Sequence, residues 1–133
     1  MLYLQTNEKY DRAYTEAYTK ARLVVREDFG FDDGLFTGYD ADKRQYDKNR
    51  WHYELGEDGF AKDNTTLQHP RYVWNLLNQH VSRYSPDMVE NICCTPKADF
   101  LKVCEYIAET SAKDKTASFL YALGWTQHSI GAQ

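Results

Sequence analysis

Residues 116–123 read Thr-Ala-Ser-Phe-Leu-Tyr-Ala-Leu, and this stretch decides the predicted fold class. The run is almost entirely apolar, with Lys115 before it and Gly124 after it. Such a run is typical of a strand buried on both faces, and these strands occur in parallel sheets covered by helices. We therefore predict an α/β fold. Because few other segments qualify as neighbouring strands, and the run lies near the end of the chain, we expect an internal piece of a larger protein.

Helical patterns precede this run. Apolar and aromatic residues recur at intervals of three and four residues over 3–22, and again after Pro70. Ser85-Pro86 and Thr95-Pro96 each combine a capping residue with a first-turn proline, so each predicts the start of a helix. For the last helix the predicted inward residues are Phe100, Leu101, Cys104, Ile107 and Ala108.

The segment 29–50 has no clean period, and a structureless stretch of this length is uncommon in a compact domain. Two interpretations remain open, a long surface loop or a segment that packs on protein absent from this chain. Residues 51–61 predict a β-hairpin around Asp58-Gly59, a strong turn dipeptide. Leu23–Val25 is a short β-prone run.

Composition excludes several classes of function. The chain has 133 residues and a net charge of −4, which argues against a nucleic-acid partner because phosphates are neutralised by basic patches. No apolar run reaches the roughly 18 residues of a membrane span, and no secretory signal is recognisable. We expect no direct membrane insertion and a cytoplasmic location for the chain as it stands. The sequon Asn64-Thr65-Thr66 is then a chance match.

The residue types that carry catalysis or bind metals form no convincing group. Cys93 and Cys94 are adjacent and Cys104 is separate, whereas structural zinc sites use ligands two to four residues apart. His80 lies at the edge of an apolar helical stripe, where a packed histidine is the ordinary outcome. We predict no metal site and no catalytic residue in this chain.

One constellation is a candidate for ligand binding. It comprises Gly124, Trp125, Thr126, Gln127 and His128, followed by Ser129, directly after the predicted strand. In open parallel sheets, ligands bind beyond the carboxyl ends of strands. An ordinary polar turn remains the competing interpretation, slightly favoured from the residues alone.

Longer stretches resemble a known family. Leu120-Tyr121-Ala122-Leu123-Gly124-Trp125-Thr126-Gln127-His128-Ser129 is similar to a segment of respiratory formate dehydrogenase catalytic subunits, which are bis-molybdopterin guanine dinucleotide oxidoreductases. Further similar stretches are Val25–Phe29, Asp33–Tyr39, Thr66–Arg71, Val73–Leu77 and Gln79–Tyr84. The resemblance covers about 7–133.

The resemblance implies a fold and a set of partners. Residues 1–133 would be a fragment of one α/β domain of the molybdopterin oxidoreductase fold. That fragment is a partial parallel-sheet pterin-binding domain with helices, a long irregular loop and a β-hairpin, the last two forming an insertion at 28–65. The implied partners are the remainder of the large subunit and its iron–sulfur subunit. The parent type of subunit is exported to the periplasmic face of the inner membrane.

The resemblance also implies roles for the candidate turn. The family's glutamine near the molybdenum and pterin pocket matches Gln127, and Gly124, Trp125, Thr126 and His128 are its neighbours. The family's metal ligand and iron–sulfur cysteines lie upstream of the matching region. We therefore expect no cofactor to bind this chain alone.

One departure from the family concerns Cys94. The family usually has glycine there, in a Cys-Gly-Thr-Pro run, so cysteine would be strained if the position needs a positive φ. The departure and the initiating Met1 favour a fragmentary reading frame or a trimmed chain.

The leading hypothesis is a fragment of the subunit that oxidises formate to carbon dioxide, contributing part of the cofactor-pocket scaffold. The alternatives are a standalone small protein-binding or scaffold domain, and a nonfunctional remnant.

Overall fold

The computed structural model describes residues 1–63, 68–129 and 131. Within them the helices are α1 (Leu2–Thr6), α2 (Arg12–Tyr18), α3 (Val73–Val81), α4 (Pro86–Cys93) and α5 (Lys97–Glu109). The strands are β1 (Phe31–Asp32), β2 (Leu35–Phe36), β3 (Tyr39–Asp40) and β4 (Gln45–Tyr46). Short 3₁₀ helices occupy Lys48–Arg50 and Trp125–Gln127. The architecture is mixed α/β, with helices and small antiparallel sheets.

The centre of the fold is the extended run Leu23–Arg26. The Val24 N–H donates to the Lys62 carbonyl at 3.1 Å, and the Val25 N–H donates to the Arg71 carbonyl at 2.9 Å. The Val24 carbonyl accepts from the Glu54 N–H at 2.9 Å. Three segments far apart in sequence therefore meet on one short run, and each pairing is an isolated antiparallel bridge.

The buried core lies at this crossing. Val24 and Tyr72 are each 2% exposed, and Ala21 and Val25 are the other buried apolar residues among those described. The Val73 N–H donates to the Leu23 carbonyl at 3.1 Å, so α3 begins directly on the run. A core this small stabilises the position of the segments but encloses little apolar surface.

The last three helices follow the sequence signals. Ser85 caps α4 by accepting a hydrogen bond from the Met88 N–H, which confirms the predicted start. The cap of α5 is one residue later than predicted, since Pro96 precedes its first residue, Lys97. The predicted inward face of α5 is confirmed, since the same five residues are partly buried: Phe100, Leu101, Cys104, Ile107 and Ala108.

The predicted helix over 3–22 is wrong in extent. Two short helices replace it, because Glu8 has a φ of 52° and interrupts the chain between them. Asp11 then restarts the helix by accepting from the Tyr14 N–H. Tyr14 and Tyr18 are 59% and 77% exposed, so these two side chains do not face a core.

The segment 29–50 is more ordered than its sequence indicates. It forms two small antiparallel hairpins, β1 with β2 and β3 with β4. Gly38 allows the second to fold back closely, since it has a φ of 92° and a Cβ there would lie 2.3 Å from the Asp47 carbonyl oxygen. The downstream hairpin over 51–61 is confirmed by an antiparallel bridge between Leu55 and Ala61.

Aromatic packing holds the two hairpins together. The Trp51 ring lies 5.5 Å from Phe36 and 5.2 Å from Tyr46, and its indole N–H donates to the Thr37 carbonyl at 2.8 Å. Phe29 packs on Phe36 at 5.8 Å between ring centroids. These contacts lie in the geometric range of favourable aromatic pairs.

The predicted buried strand at 116–123 is wrong for this chain. The segment forms neither a strand nor a helix, and every residue in it is exposed. Leu120 is 101% exposed and Phe119 is 76% exposed. A strand buried on both faces needs neighbouring strands and covering helices, and within 1–63, 68–129 and 131 no parallel sheet supplies them.

The extent of exposed surface agrees with this result. The chain exposes 10762 Å², whereas a compact protein of the same 15.6 kDa mass exposes about 7,300 Å². The excess includes the apolar side chains of 119–125. Among the residues described, no helix is long and apolar enough to cross a membrane. The sequon Asn64-Thr65-Thr66 lies outside the described residues.

We predict that truncating a side chain lowers the stability of the chain more at the buried crossing of Leu23–Arg26 than on the exposed face of α5. We expect Val24→Ala to lower the free energy of unfolding by about 2 kcal/mol, because it removes methyl groups from a buried site. The matched control is Val103→Ala on α5, where the side chain is 53% exposed. Urea denaturation followed by circular dichroism measures both. Equal midpoints for the two variants would contradict the assignment of the core to the Leu23–Arg26 crossing.

Candidate functional site

The candidate turn after 116–123 is built from local contacts. The Gln127 N–H donates to the Leu123 carbonyl at 3.3 Å, and the His128 N–H donates to the Trp125 carbonyl at 3.0 Å. The Thr126 hydroxyl donates to the Leu123 carbonyl at 3.1 Å and accepts from the Tyr121 hydroxyl at 3.3 Å. The turn thus forms without help from the rest of the chain.

The polar side chains of this turn face outward. Gln127 and His128 are exposed, and neither side chain has a hydrogen-bond partner in the described part of the chain. Trp125 is 73% exposed. A Cβ at Gly124 would meet nothing within 4 Å, so no other group approaches that glycine closely. The turn brings the predicted residues together in sequence order but leaves them open to solvent.

This arrangement does not by itself fit a pterin dinucleotide. The donor set of indole, hydroxyl, amide and imidazole groups is chemically suitable for a polar ligand. Cofactor sites, however, enclose most of their ligand, and the three cavities described in this chain are lined by residues other than Gly124–His128. The turn can supply at most one wall of such a site.

The cysteines and histidines form no metal centre. No group of three or more histidine, cysteine or acidic side chains is arranged to hold a metal ion within the described ranges. Cys93 and Cys94 are exposed, while partial burial raises the pKa of the Cys104 thiol. His80 packs edge-on against Phe31 at 5.9 Å. His80 is nevertheless exposed, so the prediction of a packed core histidine is wrong.

The shifted charged groups lie at surface ion pairs. Asp87 accepts a hydrogen bond from Lys97 at 2.6 Å and raises the pKa of that ammonium group. The Lys43 backbone N–H lowers the pKa of Asp40 by donating to its carboxylate. Both groups lie at the surface, so these shifts report surface hydrogen bonds and not a catalytic pair.

The structure contains a cavity that the sequence analysis did not predict. This cavity of about 620 Å³ lies between the β1–β2 hairpin and α3, with Arg71 and Arg83 in its lining. Its residues come from 29–36 and from 71–83, so no local spacing could have indicated it. The cavity depends on the hairpin folding back over the helix.

Comparison with known proteins defines the class of the chain. No family model matches it. Along its whole length the chain is nevertheless homologous to one segment of formate dehydrogenase major subunits, which are subunits of oxidoreductases. The resemblance stated from the sequence is thereby confirmed.

Three relatives carry this conclusion. The Formate dehydrogenase-O major subunit of Escherichia coli (strain K12) is 78% identical over 133 residues, which is 100% of this chain and 13% of the relative. The nitrate-inducible formate dehydrogenase major subunit of the same organism is 66% identical over 131 residues, covering 98% of this chain and 13% of the relative. The formate dehydrogenase major subunit of Haemophilus influenzae is 50% identical with the same coverage.

The relatives are much longer than the chain. The chain spans 13% of the length of these curated relatives. The turn, the hairpins and the helices described above therefore correspond to a small part of each relative.

Cys94 has the backbone conformation that was anticipated for a glycine. It ends α4 with φ 56° and ψ 20°, the left-handed region, and its N–H donates to the Glu90 carbonyl at 2.9 Å. Glycine is the usual residue at this position of a helix end because it has no Cβ to clash. Cysteine therefore introduces backbone strain at the α4–α5 connection.

This conformation predicts opposite effects at two adjacent cysteines. We expect Cys94→Gly to raise the free energy of unfolding by about 1 kcal/mol, since it relieves a left-handed residue with a Cβ. The control Cys93→Gly lies in the last turn of α4 and should lower it by up to about 1 kcal/mol. Urea midpoints of the two variants under reducing conditions test this. A loss of stability in Cys94→Gly would rule out the strain.

Proposed function

We propose that this chain is part of the catalytic subunit of a formate dehydrogenase and contributes scaffold to its cofactor pocket. The intact subunit would oxidise formate to carbon dioxide at a bis-molybdopterin guanine dinucleotide site. The observation that carries the proposal is identity of 78% and 66% along essentially the whole chain to formate dehydrogenase major subunits. The bound cofactor would supply the two-electron chemistry, and the protein would bind and orient it.

The contribution of this chain would come from the turn at Gly124–His128. Its outward amide and imidazole groups lack partners in the described residues, as expected of groups that bind something outside the chain. The side chain of Gln127 would form a hydrogen bond with the cofactor. Trp125, Thr126 and His128 would line the same wall of the pocket, beside the open backbone of Gly124. The chain has no predicted metal ligand, so the metal would be held by another part of the subunit.

The segment 116–123 would complete its sheet only in the intact domain. Its apolar side chains are exposed here, with Leu123 at 64% and Leu120 at 101%. Neighbouring strands from the remainder of the large subunit would bury both faces and form a parallel sheet. Residues 1–133 would then be part of one α/β domain, with the hairpins of 28–65 as an insertion.

Assembly and location follow from the same proposal. The partners would be the remainder of the large subunit and an iron–sulfur subunit that takes up electrons. The intact enzyme would act at the periplasmic face of the inner membrane, after export of the large subunit.

A graft into a relative tests the proposal. The 133 residues would replace the matching segment of the Formate dehydrogenase-O major subunit, which is 78% identical to them. We expect the chimera to retain its pterin cofactor and formate-dependent dye reduction, while the purified 133-residue chain shows neither. Pterin content is measured after denaturation, separately from activity.

The role of the turn is tested within that chimera. Gln127→Ala should lower cofactor content or dye reduction about tenfold or more, since one hydrogen bond to a charged or strongly polar group is lost. Gln45→Ala, in the β3–β4 hairpin, is the matched control and should match the chimera. Activity in the chimera with no effect of Gln127→Ala would remove the cofactor role and leave the family relationship intact. A cofactor-free chimera would contradict the scaffold role altogether.

A further inference from the structure

The cavity between the β1–β2 hairpin and α3 has a composition unlike that of the chain as a whole. The chain has a net charge of −4, yet the residues that line this groove include two guanidinium groups and no carboxylate. The lining residues that matter here are Phe31, Phe36, Arg71, Gln79, His80 and Arg83. An acidic protein that assembles such a lining at one place favours an anion there.

Aromatic rings form one wall of the groove. Phe31 and Phe36 lie 4.9 Å apart between centroids, and Phe31 meets the His80 ring at 5.9 Å. The side chains of Phe31 and Phe36 are 44% and 41% exposed, so each retains a free ring surface. A planar ring can stack on such a surface, which favours aromatic or heterocyclic ligands.

The two arginines provide positive charge in the lining of the same groove. Arg71 donates to the backbone carbonyls of Val25, Arg26 and Phe29, which fixes the position of its guanidinium group. Arg83 donates to the His80 carbonyl at 3.0 Å and lies 3.2 Å from His80 Nδ1. Carbonyl contacts do not neutralise a guanidinium charge, and neither arginine forms an ion pair with a described residue.

We propose that this groove binds a small anion that carries a planar heterocycle, of the size and chemistry of a nucleoside monophosphate. Its volume of about 620 Å³ lies within the range of ligand pockets. The heterocycle would stack beside Phe31, and the anionic group would pair with the guanidinium N–H groups of Arg83 that do not contact His80. The site uses none of the residues Gly124–His128, so it stands independently of the proposed cofactor role.

Calorimetric titration of the folded 133-residue chain with adenosine monophosphate tests the proposal. We expect saturable binding, with adenosine and inorganic phosphate each bound about tenfold more weakly, since each lacks one of the two contacts. Quenching of Trp51 fluorescence offers a second readout, because that ring is 5.5 Å from Phe36.

Two variants assign the contacts. Arg83→Gln should weaken binding of the nucleotide about tenfold, whereas Arg12→Gln should not, since Arg12 pairs with Glu16 on α2 and does not line the groove. Phe31→Leu should weaken binding of the nucleotide and leave binding of inorganic phosphate unchanged. Circular dichroism verifies that each variant is folded. Absent binding, equal affinity for phosphate and nucleotide, or equal losses in Arg83→Gln and Arg12→Gln would each overturn the proposal.

Discussion

The backbone pairing of Leu23–Arg26 is the constraint on which the rest of the structure depends. This run forms backbone hydrogen bonds with three distant parts of the chain, at Glu54, Lys62 and Arg71. Each pairing is a single bridge, so the stability of the crossing rests on the burial of Val24 and Tyr72 beside it. The start of α3 and the hairpin over 51–61 both take their positions from it, and Arg71 reaches from it toward the 29–36 segment.

Sequence patterns predicted what local chemistry controls. Ser85 and Pro86 specified the start of α4, the apolar period specified the inner face of α5, and a glycine-type position was anticipated at Cys94. The prediction failed where the outcome depends on distant partners. The period in 3–22 does not register the left-handed Glu8, and the hairpins of 29–50 depend on aromatic contacts with Trp51 that have no sequence period.

The error at 116–123 has a direct relation to function. The apolar pattern predicts a buried strand, and the structure leaves the same residues exposed and without regular secondary structure because no neighbouring strand is present among the described residues. The turn that follows is built from local hydrogen bonds, and its ligand contacts could not be inferred because the side chain of Gln127 has no partner among the described residues. Under the proposed function, strands from the remainder of the large subunit would cover this apolar segment.

Residue-resolved hydrogen–deuterium exchange of the chain tests this account most directly. We predict strong protection for the amides of Val24, Val25 and Glu54, which are hydrogen-bonded at the crossing. For 116–123, where the residues are exposed and unpaired, we predict exchange close to that of an unstructured peptide. Protection across 116–123 comparable to that of Val24 and Val25 would mean that the chain completes its own sheet, and would contradict the account.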